Sequence, residues 1–187
     1  MSGHSYLVLT TFTFLLLVIV LLFIRLRNSG PEFMGRPTID KLYFYSGKAA
    51  IITPWGLFIV KAISPRLGYI LIPPVLSWIG AGLLCSGVLI LVPALINLGK
   101  SLKVGLPDQM TTLQTQGLYS VSRNPMYIGV FIISIASCIY FPDLINITFT
   151  IYGIYIHHRI IKQEEFFLYE RFGTDWLTYS AKVNRYL

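Results

Sequence analysis

Charge is what this chain has least of. Only 12% of its 187 residues are Asp, Glu, Lys or Arg, where a soluble domain carries about 25%. So few charges cannot coat a water-facing surface, so an integral membrane protein is expected. Acidic residues are the scarcest, eight against fifteen basic ones, which leaves a net charge of +7. The basic residues flank apolar runs and form no stripe, so orientation in a bilayer explains them better than nucleic-acid binding. Cysteine is limited to Cys85 and Cys138, both inside apolar runs, and two buried thiols are expected. No CxxC or HExxH spacing is present, and the adjacent His157 and His158 diverge on a helix, so no metal site is expected. The chain also lacks a GxGxxG motif and any strand–helix–strand pattern, which excludes a Rossmann-type cofactor site. No internal repeat stands out. One membrane domain spanning 1–187 is expected, with three spans in 1–98 and a cofactor-binding half in 99–187.

What remains is apolar. Hydrophobic residues make up 55% of the chain and the mean hydropathy is +0.66. Tyr6 to Ile24 is long enough to cross roughly 30 Å of hydrocarbon at about 1.5 Å per residue. Its basic residues, Arg25 and Arg27, follow the run, so it reads as a permanent first helix and not as a cleaved leader. Asn28 to Lys48, with breakers at Gly30-Pro31 and Arg36-Pro37, is expected to be a loop or a surface-lying segment. Ala49 to Ile63 is a second run, broken by Pro54, whose Lys61 is placed to snorkel to the interface. Pro74 to Leu98 is the third, with Gly80, Ala81, Gly82, Ser86 and Gly87 forming a close-packing face. Met126 to Phe141 and Leu144 to Ile156 are the fourth and fifth, joined by Pro142-Asp143 as a tight hairpin. The expected fold is therefore an all-α integral membrane protein of about five transmembrane helices with a cytoplasmic C-terminal helical extension. With the N-terminus outside, 13 of the 15 basic residues fall on the cytoplasmic side, as the positive-inside rule requires.

Two polar clusters then share the cytoplasmic end. A linker from Gly99 to Val121, with breakers at Gly105, Pro107 and Gly117, leads to Ser122-Arg-Asn-Pro125. Asn124 and Pro125 read as an N-cap followed by a first-turn proline, with ligand contact as the second use of Asn124. Arg123 sits where the helix dipole repels a cation, a position eased by a bound anion. Tyr119 and Tyr127 are placed to flank a planar ligand. In the second cluster, Gly173 is expected to end the fifth helix after Phe172. Thr174 should then cap a short amphipathic helix whose Trp176, Leu177, Tyr179 and Val183 lie in the interface. Glu164 and Glu165 point about 100° apart on a helix, so one is free to meet a cationic or hydroxylated ligand while the other pairs with Arg or Lys.

Together these motifs resemble the isoprenylcysteine carboxyl methyltransferase family and its phospholipid methyltransferase relatives. The family pattern is Gly-x-Tyr, Arg-His-Pro-x-Tyr, Glu-Glu, Phe-Gly-x-x-Tyr/Trp-x-x-Tyr and Val-Pro-Arg. It is similar to Gly117-Leu-Tyr119, Arg123-Asn-Pro-Met-Tyr127, Glu164-Glu165, Phe172-Gly-Thr-Asp-Trp-Leu-Thr-Tyr179 and Val183-Asn-Arg185. Asn124 stands in place of the common His and Asn184 in place of Pro, and a looser tail or a trimmed terminus is expected to go with the second change. The match is close over 99–187 and by hydropathy alone before that. The resemblance implies S-adenosylmethionine-dependent methyl transfer at the cytoplasmic face to a lipidic or prenylated acceptor entering from the bilayer. The implied cofactor contacts are Gly117, Tyr119, Arg123, Asn124, Pro125, Tyr127, Glu164 and Glu165, with Phe166 beside the adenine. Arg159 or Arg185 is the expected positioning cation for a carboxylate, and a Glu such as Glu165 the expected base for an amine. Carboxyl O-methylation of an isoprenylcysteine-type substrate is the leading expectation. Ethanolamine phospholipid N-methylation, an NADPH-dependent sterol-type reductase and a non-enzymatic scaffold are the alternatives.

Overall fold

The structure, a computed structural model, describes residues 2–27, 35–68, 72–99 and 112–187. The breakers at Gly30-Pro31, Gly105 and Pro107 lie outside the described residues. Among the described residues the elements are α1 Gly3–Arg27, α2 Lys41–Ile63, α3 Pro74–Leu98, the 3-10 turn Gly117–Ser120, α4 Pro125–Tyr140, α5 Leu144–Phe172 and α6 Thr174–Lys182. The first three are long and apolar enough to cross a membrane, and α4 is a shorter apolar helix. This is a multi-pass α-helical membrane protein.

Two expectations about α2 are corrected. It starts at Lys41, eight residues before Ala49, because Asp40 caps it: the Asp40 carboxylate accepts from the Leu42 N–H at 2.9 Å. Cap and register together bury Phe44 and Gly47, so Lys41 to Lys48 is helix packed into the bundle where a loop or a surface-lying segment was expected. Nor does Pro54 break the helix. It is buried within α2, and its carbonyl accepts from the Ser137 hydroxyl at 2.6 Å, so a neighbouring helix supports the backbone there. Lys61 reaches past the end of α2: its ammonium donates to the Pro65 carbonyl at 2.8 Å and to that of Leu67, tying down the start of the α2–α3 connection.

Glycines set the closest helix contacts. A Cβ on Gly129 would lie 2.8 Å from the Gly87 carbonyl oxygen and equally close to Leu91, so α3 and α4 meet backbone to backbone. Gly80, Ala81 and Gly87 are buried on the expected packing face, whereas Gly82 has nothing within 4 Å and Ser86 is exposed. Helical spacing explains the split, since 80, 84, 87 and 91 share a face that 82 and 86 do not. On the other side α5 leans on α2, with Gly153 against Ile51 and Gly47 against Ile156. The α4–α5 connection is tight, as expected: Asp143 caps α5 through the Ile145 N–H, and the buried Asn146 amide donates to the Phe141 carbonyl and the Ser137 hydroxyl.

The N-terminus packs at the far end of α4, where His4 Nδ1 lies 2.9 Å from the Tyr140 hydroxyl. Around it an apolar core of Phe12, Phe58, Leu84, Ile133 and Tyr140 fills the α1–α4 interior. A second, smaller core of Phe44, Tyr127, Ile156, Ile160 and Ile161 supports the opposite end. The charged cluster described next stands at that second end.

Candidate functional site

Gly117 opens the site as a turn. Its φ is +61°, so the backbone sign demands glycine, and a Cβ there would sit 2.2 Å from the Asn97 amide nitrogen, which would have to move aside. The turn carries Tyr119 into the interior, and the chain reaches Ser122, Arg123 and Asn124 just before α4.

Arg123 is clasped. Its Nε donates to Glu165 Oε1 at 3.1 Å and its Nη2 to Oε2 at 3.3 Å, while Nη1 donates to the Ser180 and Val183 carbonyls at 3.0 and 2.8 Å. The Trp176 ring lies beneath it, 5.6 Å from the guanidinium carbon. The anion that makes a cation tolerable at this helix start is therefore Glu165 of the same chain. From the tail, Arg185 adds two further bonds to Glu165 Oε2, 2.9 Å from Nε and 2.7 Å from Nη2. Asn124 stands at the N-cap of α4 but makes no side-chain cap bond, contrary to expectation. Its carboxamide donates instead to Glu165 Oε1 at 3.0 Å and to the Arg185 carbonyl at 3.2 Å. Burial alone would push the Glu165 carboxyl up, but bonds from Arg185 and Arg123 outweigh it and hold the pKa below the usual range.

The tail is fastened, not loosened, at Asn184. The Arg123 N–H donates to the Asn184 carbonyl at 2.9 Å, and the Ser122 hydroxyl donates to that of Arg185 at 3.2 Å. These bonds use backbone carbonyls, so losing the family proline removes none of them. Gly173 ends α5 with φ +50°, as expected, but it also N-caps α6. Thr174 is thus the first residue inside α6 and does not cap it. Trp176 and Tyr179 turn inward to Arg123 and to the Tyr119 carbonyl (2.6 Å), leaving Leu177 outward. The ionic clasp draws them from the interface.

Glu164 has a different environment. The Tyr127 hydroxyl donates to its carboxylate, 3.0 Å from each oxygen. Desolvation pushes its pKa up to about 7 and Glu165 adds to the rise, while Lys48 and the Tyr127 bond oppose it. One half of the expected division is thus observed: Glu165 pairs with arginine and Glu164 does not. His157 Nδ1 lies 2.8 Å from the Gly153 carbonyl and His158 Nδ1 lies 2.7 Å from the Tyr186 hydroxyl.

The structure brings together Tyr119, Arg123, Asn124, Pro125, Tyr127, Glu164, Glu165 and Arg185. Gly117 stands at the entrance turn as a packing requirement. Arg159 is exposed on α5 and, at helical spacing, points about 140° from Glu164. Phe166 is 54% exposed and does not line the cluster. Sequence reasoning missed Lys48, whose ammonium lies 5.3 Å from the Phe44 ring centre and 6.0 Å from that of Tyr127. The Asp40 cap was the signal that could have found it, since α2 begun there carries Lys48 on its second turn.

The fold and the cluster together describe an α-helical membrane bundle with a charged, half-buried site at one end of its apolar core. Comparison with family models makes the assignment. The chain belongs to the phospholipid methyltransferase family, whose model matches residues 75–175. It is an S-adenosylmethionine-dependent membrane methyltransferase acting on a lipid-type acceptor. A search of curated proteins found no match. The matched stretch holds all of α4 and α5, all but the first residue of α3, and all the cluster except Lys48 and the tail. The donor set fits the cofactor: a buried carboxyl for an ammonium or hydroxyls, guanidinium groups for a carboxylate, and tyrosine rings for a planar base and a sulfonium.

Proposed function

We propose that this cluster is the S-adenosylmethionine site and that the acceptor is a lipid-linked carboxylate of the isoprenylcysteine type. The observation that carries the proposal is the separation of roles within one carboxylate pair. Glu165 is saturated by Arg123, Arg185 and Asn124, whereas Glu164 is met by the Tyr127 hydroxyl beside it. Glu164 is the residue available for an ammonium or for ribose hydroxyls. Arg185, with 34% of its side chain exposed and Nη1 unused among the described residues, is the available fork for the cofactor carboxylate. Arg123, Asn124 and Glu165 hold the start of α4, α5 and the tail in register and act as positioning residues. Tyr119 and Tyr127 supply aromatic walls.

When bound, S-adenosylmethionine supplies an electrophilic methyl group. Chain residues contribute proximity and exclusion of water. A carboxylate acceptor needs no base, and its chain enters from the bilayer between helices. The site faces the cytoplasm, with α4 and the first half of α5 completing five spans; the basic-residue asymmetry supports that orientation.

A second reading is N-methylation of an amine phospholipid. The near-neutral Glu164 favours it, because a carboxyl with a pKa of about 7 can accept a proton from an ammonium. Binding of S-adenosylhomocysteine to the purified protein tests the site. It is expected for wild type and weakened in Glu164→Gln and Arg185→Ala proteins; equal binding in all three would remove the assignment. Transfer of labelled methyl into a lipid extract separates the readings, since an ester releases its label in base and an N-methyl group keeps it.

A further inference from the structure

We infer that Lys48, on the second turn of α2, holds the anionic end of the acceptor. The inference rests on the methyltransferase reading of the cluster and deepens it by naming what binds beside it. Lys48 lies outside the family-matched stretch, which begins at residue 75.

Its environment is unusual for a lysine. The ammonium stands over the Phe44 and Tyr127 rings, and its charge is felt by both Glu164 and His157. Yet among the described residues its ammonium makes no hydrogen bond and no ion pair, although Glu164 stands near. The other cations at this end are engaged or turned away. Arg123 spends all three nitrogens on Glu165 and tail carbonyls, Arg185 spends two on Glu165, and Arg159 is exposed. Lys48 is therefore a partly desolvated cation with three donors to give and no protein acceptor for them.

Its placement also has a side. Phe44 and Tyr127 belong to the apolar core with Ile156, Ile160 and Ile161, against which Tyr186 of the tail also packs, so the ammonium meets the cluster on its apolar side. Leu42, Tyr43, Tyr45 and Ile52 leave the outer face of α2 apolar and exposed, a surface suited to a lipid chain. A carboxylate carried on such a chain arrives at Lys48. An ammonium acceptor meets a like charge there, which disfavours an amine. In the transfer, a C–O bond forms between the carboxylate oxygen and the methyl carbon as the methyl C–S bond breaks. The bonding pair leaves on sulfur, the carboxylate and sulfonium charges cancel, and no proton moves. Lys48 touches the acceptor and takes no part in the bond changes.

The test uses full-length protein in lipid nanodiscs, with S-adenosylhomocysteine binding measured beside methyl transfer to a farnesylated N-acetylcysteine, a small carboxylate probe. Lys48→Met is expected to raise the KM for this probe by about tenfold or more, the scale of a lost hydrogen bond to a charged group. Its affinity for S-adenosylhomocysteine should be unchanged, which also reports an intact fold, and Lys48→Arg should recover most of the KM. An unchanged KM overturns the inference, as does an equal loss of S-adenosylhomocysteine affinity, which would give Lys48 to the cofactor. Wild type that methylates ethanolamine phospholipid vesicles and ignores the probe overturns it too, while leaving the cofactor site standing. Failure of wild type to bind S-adenosylhomocysteine takes down the cluster assignment itself, and the inference with it.

Discussion

Glu165 gathers two guanidinium groups and a carboxamide onto one carboxylate that is only 10% exposed. Removing it leaves Arg123 and Arg185 facing each other without their shared counter-ion. Breaking a buried pair in this way costs about 3–5 kcal/mol, and the lower end applies because Arg185 keeps a third of its side chain in solvent. Glu165→Ala should therefore lower the melting temperature in detergent by several degrees and abolish activity; an unaltered melt would show that the clasp is not structural. Arg123→Lys should fail as well, since an ammonium cannot bridge a carboxylate and two carbonyls as the planar fork does. Glu164 makes the opposite prediction. Its folded pKa of about 7 lies above the ordinary 4.5, so between those values the folded chain keeps a proton that the unfolded chain has released. That contribution to stability is complete below pH 4.5 and is lost as pH rises through about 7. The groups facing it are Lys48 from α2, Tyr119 from the turn, Tyr127 from α4 and Glu165 from its own helix. Glu164→Gln stays neutral throughout, so its melting temperature should gain on wild type as pH is raised across that window. A gap that stays constant with pH contradicts the buried-carboxyl assignment.

At the scale of elements, the site depends on how closely α3 and α4 approach, because α4 carries Arg123 and Asn124 at its start. Gly129→Ala would press a methyl group to 2.8 Å from backbone atoms of α3, which cannot yield as a flexible side chain would. A cost of about 1–3 kcal/mol is expected from such overpacking, with activity falling as α4 shifts. Gly82→Ala is the control, since nothing lies within 4 Å of its Cβ position. Equal melting temperatures for the two variants would refute the close approach. This contrast also marks what was legible beforehand. The apolar runs, the Pro142-Asp143 connection, the end of α5 at Phe172 and the divergence of the two glutamates follow from period and punctuation, which are local. Which of Gly80, Gly82 and Gly87 would pack depends on where α4 lies, and that is not local. The same limit hid the fate of Arg123: its need for an anion could be read from the helix dipole, but not that Glu165, 42 residues further on, would supply it. Asn124 looked like a cap because residue type and position agreed, and the nearer carboxylate took its amide instead. Lys48 escaped because a polar stretch with two prolines outweighed one capping aspartate.

For the whole molecule, the two chain ends determine how it sits in a membrane. His4 packs against Tyr140 at the C-terminal end of α4, while Asn184 and Arg185 are bonded beside Ser122 and Arg123 at its N-terminal end. The termini thus occupy opposite ends of the bundle. A bundle that crosses the bilayer along its helices must place them on opposite sides, even though α4, at sixteen residues, rises only about 24 Å. The proposed orientation, which the basic-residue asymmetry favours, puts the Arg123 end in the cytoplasm. With Cys85 and Cys138 replaced by serine, a cysteine at Ser2 should react with a membrane-impermeant maleimide in intact cells. A cysteine at Leu187 should react only after the cells are opened. Labelling of both positions from the same side would refute the odd number of spans. Reversed labelling would keep the fold and turn the site away from the compartment in which S-adenosylmethionine is made, so the same two cysteines test the bundle and the proposed orientation of its chemistry separately.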